Sequence, residues 1–130
     1  MIGRLFRVRV EVRVHPQHVE LACTGKYSRS EAFRVGNQAF QEAAATGRRS
    51  VLVDVRGVSG SIPTILDRFD IGVHIAELHL ERKPRVRLAV LGHEPMIHPD
   101  RFGEIVARNR GADARVFTVE SEALEWLTAV

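Results

Sequence analysis

A single cysteine, Cys23, excludes an internal disulfide framework and any cysteine-built zinc finger. Long apolar runs are missing as well. No stretch approaches the roughly 18 apolar residues of a spanning helix, so an integral membrane protein is not expected. The opening residues Met1-Ile2-Gly3-Arg4-Leu5-Phe6-Arg7 interleave arginine with apolar side chains, and arginines recur to Arg13. That leaves no apolar core for a signal peptide. The expected location is cytoplasmic, and a lone cysteine in an apolar segment fits a reducing compartment. Low-complexity tracts, internal repeats and Pro/Gly/Ser linkers are also absent. The 130 residues therefore read as one domain, 1–130, with a 45% hydrophobic fraction that excludes wholesale disorder.

What is present is uneven charge. The net charge is +3, yet residues 1–50 carry nine basic and four acidic groups, and residues 51–130 carry ten and twelve. Lys26 and Lys83 are the only lysines. The densest basic cluster, Arg7, Arg9 and Arg13, lies on one face of an expected strand and is interrupted by Glu11. Such a face is solvated and protects an edge strand from unwanted pairing. No nucleic-acid-binding motif accompanies it, so no nucleic-acid partner is expected.

Hydrophobic periodicity gives the elements. Val8, Val10, Val12 and Val14 alternate with Arg7, Arg9, Glu11 and Arg13, the mark of a half-buried strand. His15-Pro16-Gln17-His18 is a turn, and Val19 to Cys23 returns antiparallel. Ser28 and Glu31 have capping-box spacing and open a helix to about Thr46, with Gly47 as its C-terminal cap. Ser50 to Val55 is nearly continuous apolar sequence, as in a strand covered on both faces. Gly57 to Pro63 is a loop, and a helix runs from Pro63 or Thr64 to about Glu81. A strand over Val86–Leu91, the loop Gly92-His93-Glu94-Pro95, a short helix over Asp100–Asn109 and a strand over Arg115–Thr118 follow. Ser121 is expected to cap a last helix carrying Leu124, Trp126 and Leu127. The order β-β-α-β-α-β-α-β-α argues for an α/β fold with a four- or five-stranded mixed sheet, the opening hairpin supplying the antiparallel edge.

Three runs carry a family resemblance. They are Glu20-Leu21-Ala22-Cys23-Thr24-Gly25, then Val51-Leu52-Val53-Asp54-Val55-Arg56-Gly57-Val58, then the C-terminal stretch from Arg101-Phe102-Gly103-Glu104 to Glu125-Trp126-Leu127. Together they resemble STAS domains, the fold of bacterial anti-sigma-factor antagonists. The C-terminal stretch more narrowly resembles the SpoIIAA-like (STAS/CRAL-TRIO-related) subgroup. The likeness spans almost the whole chain through short motifs. It implies a non-enzymatic binding or regulatory module, with lipids or other apolar ligands in some relatives. In phospho-regulated antagonists an Asp-Ser pair opens the helix after the central strand, and its Ser is phosphorylated. Here Gly60-Ser61-Ile62-Pro63-Thr64 stands in that place without the pair, leaving Ser61 or Thr64 as substitutes.

Several groups are candidates for function. The loop before the 64–81 helix lies where anions gather in open α/β sheets. Ser59, Ser61 and Thr64 offer hydroxyls there as phospho-acceptors or anion ligands, with Arg56 or Arg68 to pair with a phosphate. The plainer alternative is a Ser or Thr cap. No Walker A lysine or dinucleotide fingerprint accompanies the loop, and no cofactor is expected. Asp54 is expected to pair with an arginine or cap a loop. On the 64–81 helix, Leu66, Phe69, Val73, Ala76 and Leu80 form the expected core stripe, with Ile71, Ile75 and Leu78 on the opposite side. That second stripe is read as an interface with a protein partner or a second copy, or as the lining of an apolar-ligand site. His93, Glu94 and His98 lack a metal-site spacing, as do His74 and His79, so no metal is expected. Arg101, Glu104 and Arg108 read as surface ion pairs. No catalytic Ser-His-Asp or Cys-His set can be placed. The expected function is regulatory binding through helix 64–81 and its preceding loop. The alternative is a carrier or sensor of an apolar ligand, and an enzyme ranks last.

Overall fold

A computed structural model describes residues 7–129. The segment read above for targeting therefore begins outside the described residues. The elements are β1 (Arg9–Val14), β2 (Val19–Lys26), α1 (Arg29–Thr46), β3 (Ser50–Ser59), α2 (Ile65–Leu80), β4 (Arg87–Leu91), α3 (Phe102–Asn109), β5 (Ala114–Phe117) and α4 (Glu120–Thr128). They form one five-stranded sheet in the order β1-β2-β3-β4-β5. The β1–β2 pair is antiparallel and the other three are parallel.

The strand order explains the layering. A sheet that adds each parallel strand on the same side, through right-handed crossovers, keeps every crossover helix on one face. α1, α2 and α3 accordingly pack as a layer over that face, with α2 touching both neighbours. The main core lies beneath them, from Val19, Leu21, Val51, Val53 and Leu88 to Ala39 and Phe40 of α1. The opposite face is left to α4, which packs on β3, β4 and β5. Its smaller core joins Leu52, Ala89, Leu91, Phe117, Ala123 and Leu127. The β1–β2 hairpin on that second face carries Arg9, Glu11, Arg13 and Glu20, where Arg13 pairs with Glu11 at 3.1 Å and Glu20 at 3.4 Å.

Three local expectations are corrected. β3 runs on through Gly57 and Val58 to Ser59, because a bulge between Ala22 and Thr24 lets β2 follow it in the register Thr24↔Gly57 to Lys26↔Ser59. Gly57 permits this approach, since a Cβ there would stand 2.8 Å from Thr24 Cγ2 and 2.9 Å from Cys23 O. Ser121 lies inside α4, whose N-cap is Val119 with no side-chain bond. The Ser28–Glu31 box is half formed: Ser28 Oγ accepts the Glu31 N–H at 3.2 Å. The Glu31 carboxylate reaches instead to the N–H of Val8 at 2.7 Å and to Arg34.

Candidate functional site

α2 begins with a complete capping box. Thr64 Oγ1 accepts the Asp67 N–H at 3.0 Å, and Asp67 accepts the Thr64 N–H at 3.2 Å. Tyr27 donates its hydroxyl to Asp67 at 3.0 Å, and Arg29 pairs with Asp70 at 3.0 Å. These bonds fasten the start of α2 to the chain leaving β2. The backbone N–H of Thr64 holds the Asp67 carboxyl below the usual carboxylate range. Burial, helped by Asp67, pushes the Tyr27 hydroxyl above its ordinary value.

Among the described residues, no side-chain hydrogen bond joins the four residues read as an anion site. Ser59 ends β3, with its carbonyl accepting from Tyr27 N at 2.8 Å. Ser61 is exposed in the following bend, and Thr64 is the cap. Arg68 is buried, and its guanidinium donates to the carbonyls of Met96 and Pro95, each at 2.9 Å. Burial pulls Arg68 below the usual arginine range. It ties α2 to the loop before α3 instead of serving the Ser and Thr hydroxyls.

The faces of α2 are rotated from those expected, and of the expected core stripe only Ala76 is buried. The helix's buried line is Arg68, Gly72, Ala76 and His79. Ile75 and Leu78 pack against the main core beside that line. Leu66 and Leu80, expected inside, are 68% and 72% exposed, and Phe69 is partly exposed. The reason is close approach. A Cβ on Gly72 would stand 2.9 Å from Gly103 O of α3. One on Gly36 of α1 would stand 3.1 Å from Ile75 Cδ1. Two glycines thus let α2 wedge between its neighbours. Hydrophobic periodicity gives almost no weight to the small residues that permit it.

Beneath the wedge lies an apolar cavity of about 220 Å³. Val53, Val55 and Val90 of the sheet form its floor, Val35 and Ala39 of α1 one side, and Ile71 and Ile75 of α2 another. Tyr27, Arg68 and Arg101 are polar groups on its lining. Ile71 and Ile75 are therefore cavity residues and not an outer stripe, while Leu78 packs beside Gly36.

The remaining candidates resolve simply. Asp54 takes Arg56 at 2.8 Å, and Arg56 also reaches Glu120 at 2.9 Å. Burial pushes the Asp54 carboxyl up, but the Arg56 bonds outweigh it and the net direction is down. Cys23 is buried, and its thiol is pushed up to about 12 by burial and then by Asp54, so it lacks the thiolate a nucleophile needs. His74 bonds Asn37 at 2.7 Å, and His79 Nδ1 bonds the Ile75 carbonyl at 2.9 Å. His98 accepts from Asp100 N at 3.1 Å. Glu104 accepts from Val116 N at 2.9 Å, which fastens α3 to β5, and its contact with Arg108 is a loose 3.9 Å. Among the described residues, no helix is long and apolar enough to cross a membrane.

No protein-family model matches the sequence, and no curated protein matches it. Solved structures do match by fold. An anti-sigma factor antagonist from Mycobacterium paratuberculosis superposes with a TM-score of 0.61 at 12% identity, over 94% of this chain and 95% of that one. An uncharacterized protein with a SpoIIAA-like fold from Shewanella loihica PV-4 does so at 0.51 and 19% identity, over 95% of both chains. Helices α1 to α3 on one face of a sheet edged by the β1–β2 hairpin thus place this chain among proteins of the SpoIIAA-like, STAS-type fold.

Proposed function

We propose that this chain is a non-enzymatic, cytoplasmic regulatory module of the STAS type that binds a partner protein through the start of α2 and the loop before it. The observation that carries this reading is the exposed apolar row at that junction. Ile62, Ile65, Leu66 and Phe69 lie within eight residues, and the first three are 54%, 55% and 68% exposed. Water-facing side chains of this size, grouped together, are what a docking surface requires. The capping box and the Tyr27 and Arg29 contacts hold that surface rigid, which lowers the ordering cost of binding. Ser61 adjoins Ile62 in sequence, so a phosphate there would set negative charge beside the row and weaken an apolar contact.

The residue to change is Leu66, because Ile75 belongs to the packed interior. Leu66→Glu is expected to leave stability within about 0.5 kcal/mol of the parent. It should weaken the protein contact by about 2 kcal/mol or more. Sedimentation of the purified chain, together with in-cell crosslinking of parent and variant, measures this. Self-association lost in the variant identifies a second copy as partner, and a lost heterologous adduct identifies another protein. Unchanged mass and unchanged adducts would overturn the reading.

The cavity favours a second reading, a carrier or sensor of a small apolar ligand. Its walls are aliphatic, with a few polar groups on the lining, as in small-molecule sites. Native mass spectrometry of protein purified without denaturation is expected to show a co-purifying apolar ligand. Repeated recovery of ligand-free protein would sink this reading.

A further inference from the structure

The β1–β2 turn assembles side chains that neither reading uses. His15 and His18 flank the two-residue turn Pro16-Gln17, closed by the His15 N–H to the His18 carbonyl at 2.8 Å. The register Arg13↔Glu20 and Val14↔Val19 places His15 directly opposite His18. Side chains alternate along a strand, so Arg13, His15, His18 and Glu20 share one face. It is the hairpin's charged face, not the one toward α1 and the main core, where Val19 and Leu21 point. The two imidazoles stack with centroids 4.4 Å apart. His15 Nε2 stands 2.8 Å from Glu20 Oε1. One ligand atom from each of His15, His18 and Glu20 lies within 4.8 Å of the others, and all three residues are half-buried.

We propose that His15, His18 and Glu20 form a binding site for a divalent transition-metal ion of the zinc type. Two imidazoles and one carboxylate are a donor set used by zinc, and the nitrogen pair selects zinc, cobalt, nickel or copper over magnesium and calcium. On metal bonds of about 2.1 Å, donors at tetrahedral angles stand about 3.4 Å apart. Closing from 4.8 Å to that spacing calls for the stacked rings to turn about their broad χ2 wells. The surroundings supply outer contacts that orient ligands. Arg13 Nη1 lies 3.4 Å from Glu20 Oε2, leaving Oε1 for the metal, and Arg13 is itself balanced by Glu11. Arg48 Nε holds the His15 carbonyl at 3.1 Å, which pins the turn to the chain after α1. Three protein ligands leave a coordination position to water or to a side chain of another molecule. The site lies at the turn end of the edge hairpin and shares no residue with the exposed row of α2, so it stands or falls independently of the proposed function. It departs from the sequence expectation of no metal, which weighed other histidines and read His15 to His18 only as a turn.

The test is titration of untagged protein with Zn²⁺ by calorimetry and with Co²⁺ by visible absorbance. The expected result is one ion per chain, a micromolar Kd, and a tetrahedral or five-coordinate Co²⁺ band. His15→Ala, His18→Ala and Glu20→Gln should each raise the Kd at least about tenfold. His98→Ala should leave it unchanged. Circular dichroism of each variant checks that the fold is retained. No binding at millimolar metal would overturn the proposal. So would binding that survives both histidine substitutions in folded protein.

Discussion

Replacing Glu31 with alanine is expected to destabilise the chain by about 3 kcal/mol, the upper end of the cost of leaving a buried donor without its acceptor. Glu31 is only 9% exposed, and its carboxylate has three donors. Oε1 accepts the Val8 N–H at 2.7 Å and Arg34 Nη2 at 3.0 Å, and Oε2 accepts Arg34 Nε at 2.7 Å. Arg34 closes the loop by donating to the Val8 carbonyl. The carboxylate thus clamps the chain entering β1 to the first turn of α1. Alanine leaves the buried Val8 N–H without its acceptor and deprives the half-buried Arg34 guanidinium of its partner. Glu31→Gln keeps an acceptor for Val8 but not the charge, so a smaller loss of about 2 kcal/mol is expected. Urea denaturation of the three proteins measures the series. Equal stabilities would mean that the entry segment contributes nothing to cooperative folding.

The same carboxylate sets an acid limit. The Arg34 hydrogen bonds, joined by the Val8 N–H and opposed by burial, hold the Glu31 carboxyl below its ordinary value. Its folded pKa is then lower than its unfolded one, near 4.3. The unfolded chain binds the proton more tightly, so this stabilisation is present above that pH and is lost as pH falls through the folded value. Asp67 acts in the same direction through the Thr64 N–H. The parent should lose stability below about pH 4, and Glu31→Gln should show a shallower loss there.

The capping residues also show what could be read without coordinates. Ser28 and Thr64 are N-caps, and Gly47 takes the left-handed C-cap conformation. The alternation from Val8 to Val14 and the apolar run from Val51 to Val55 are strands, and their order gives the mixed sheet. These signals are local, because caps and period-two patterns are decided within a few residues. The site was less legible for a long-range reason. Which side of α2 faces inward depends on where Gly36 and Gly103 lie in space, and no periodicity within 64–81 carries that information. Leu66, Phe69 and Leu80 drew the expected stripe away from the buried line, which Gly72 marks and of which that stripe held only Ala76. From the sequence, Arg68 reads as a phosphate partner because it is charged and near a helix start. Its reach to Pro95 and Met96 could not be foreseen, since those carbonyls belong to a loop beyond β4.

The two glycines that seat α2 should respond in opposite ways to the same small change. Glycine in a helix interior costs about 1 kcal/mol relative to alanine, so Gly→Ala stabilises wherever there is room. At Gly36 the nearest obstacle is Ile75 Cδ1 at 3.1 Å, the far end of a flexible side chain that borders the cavity. Gly36→Ala should therefore be neutral to about 1 kcal/mol stabilising. At Gly72 the added carbon would meet Gly103 O and Val106 Cγ1 at 2.9 Å and Val106 Cβ at 3.0 Å. A backbone carbonyl cannot swing aside, so α3 must move as a body. Gly72→Ala should cost about 2 kcal/mol and Gly72→Val about 3 kcal/mol, the range for overpacked interiors. Thermal denaturation of the three variants measures the contrast. Equal effects at Gly36 and Gly72 would mean that α3 gives way as easily as a side-chain methyl. The separation between α2 and α3 would then be soft, and the wall of the cavity with it.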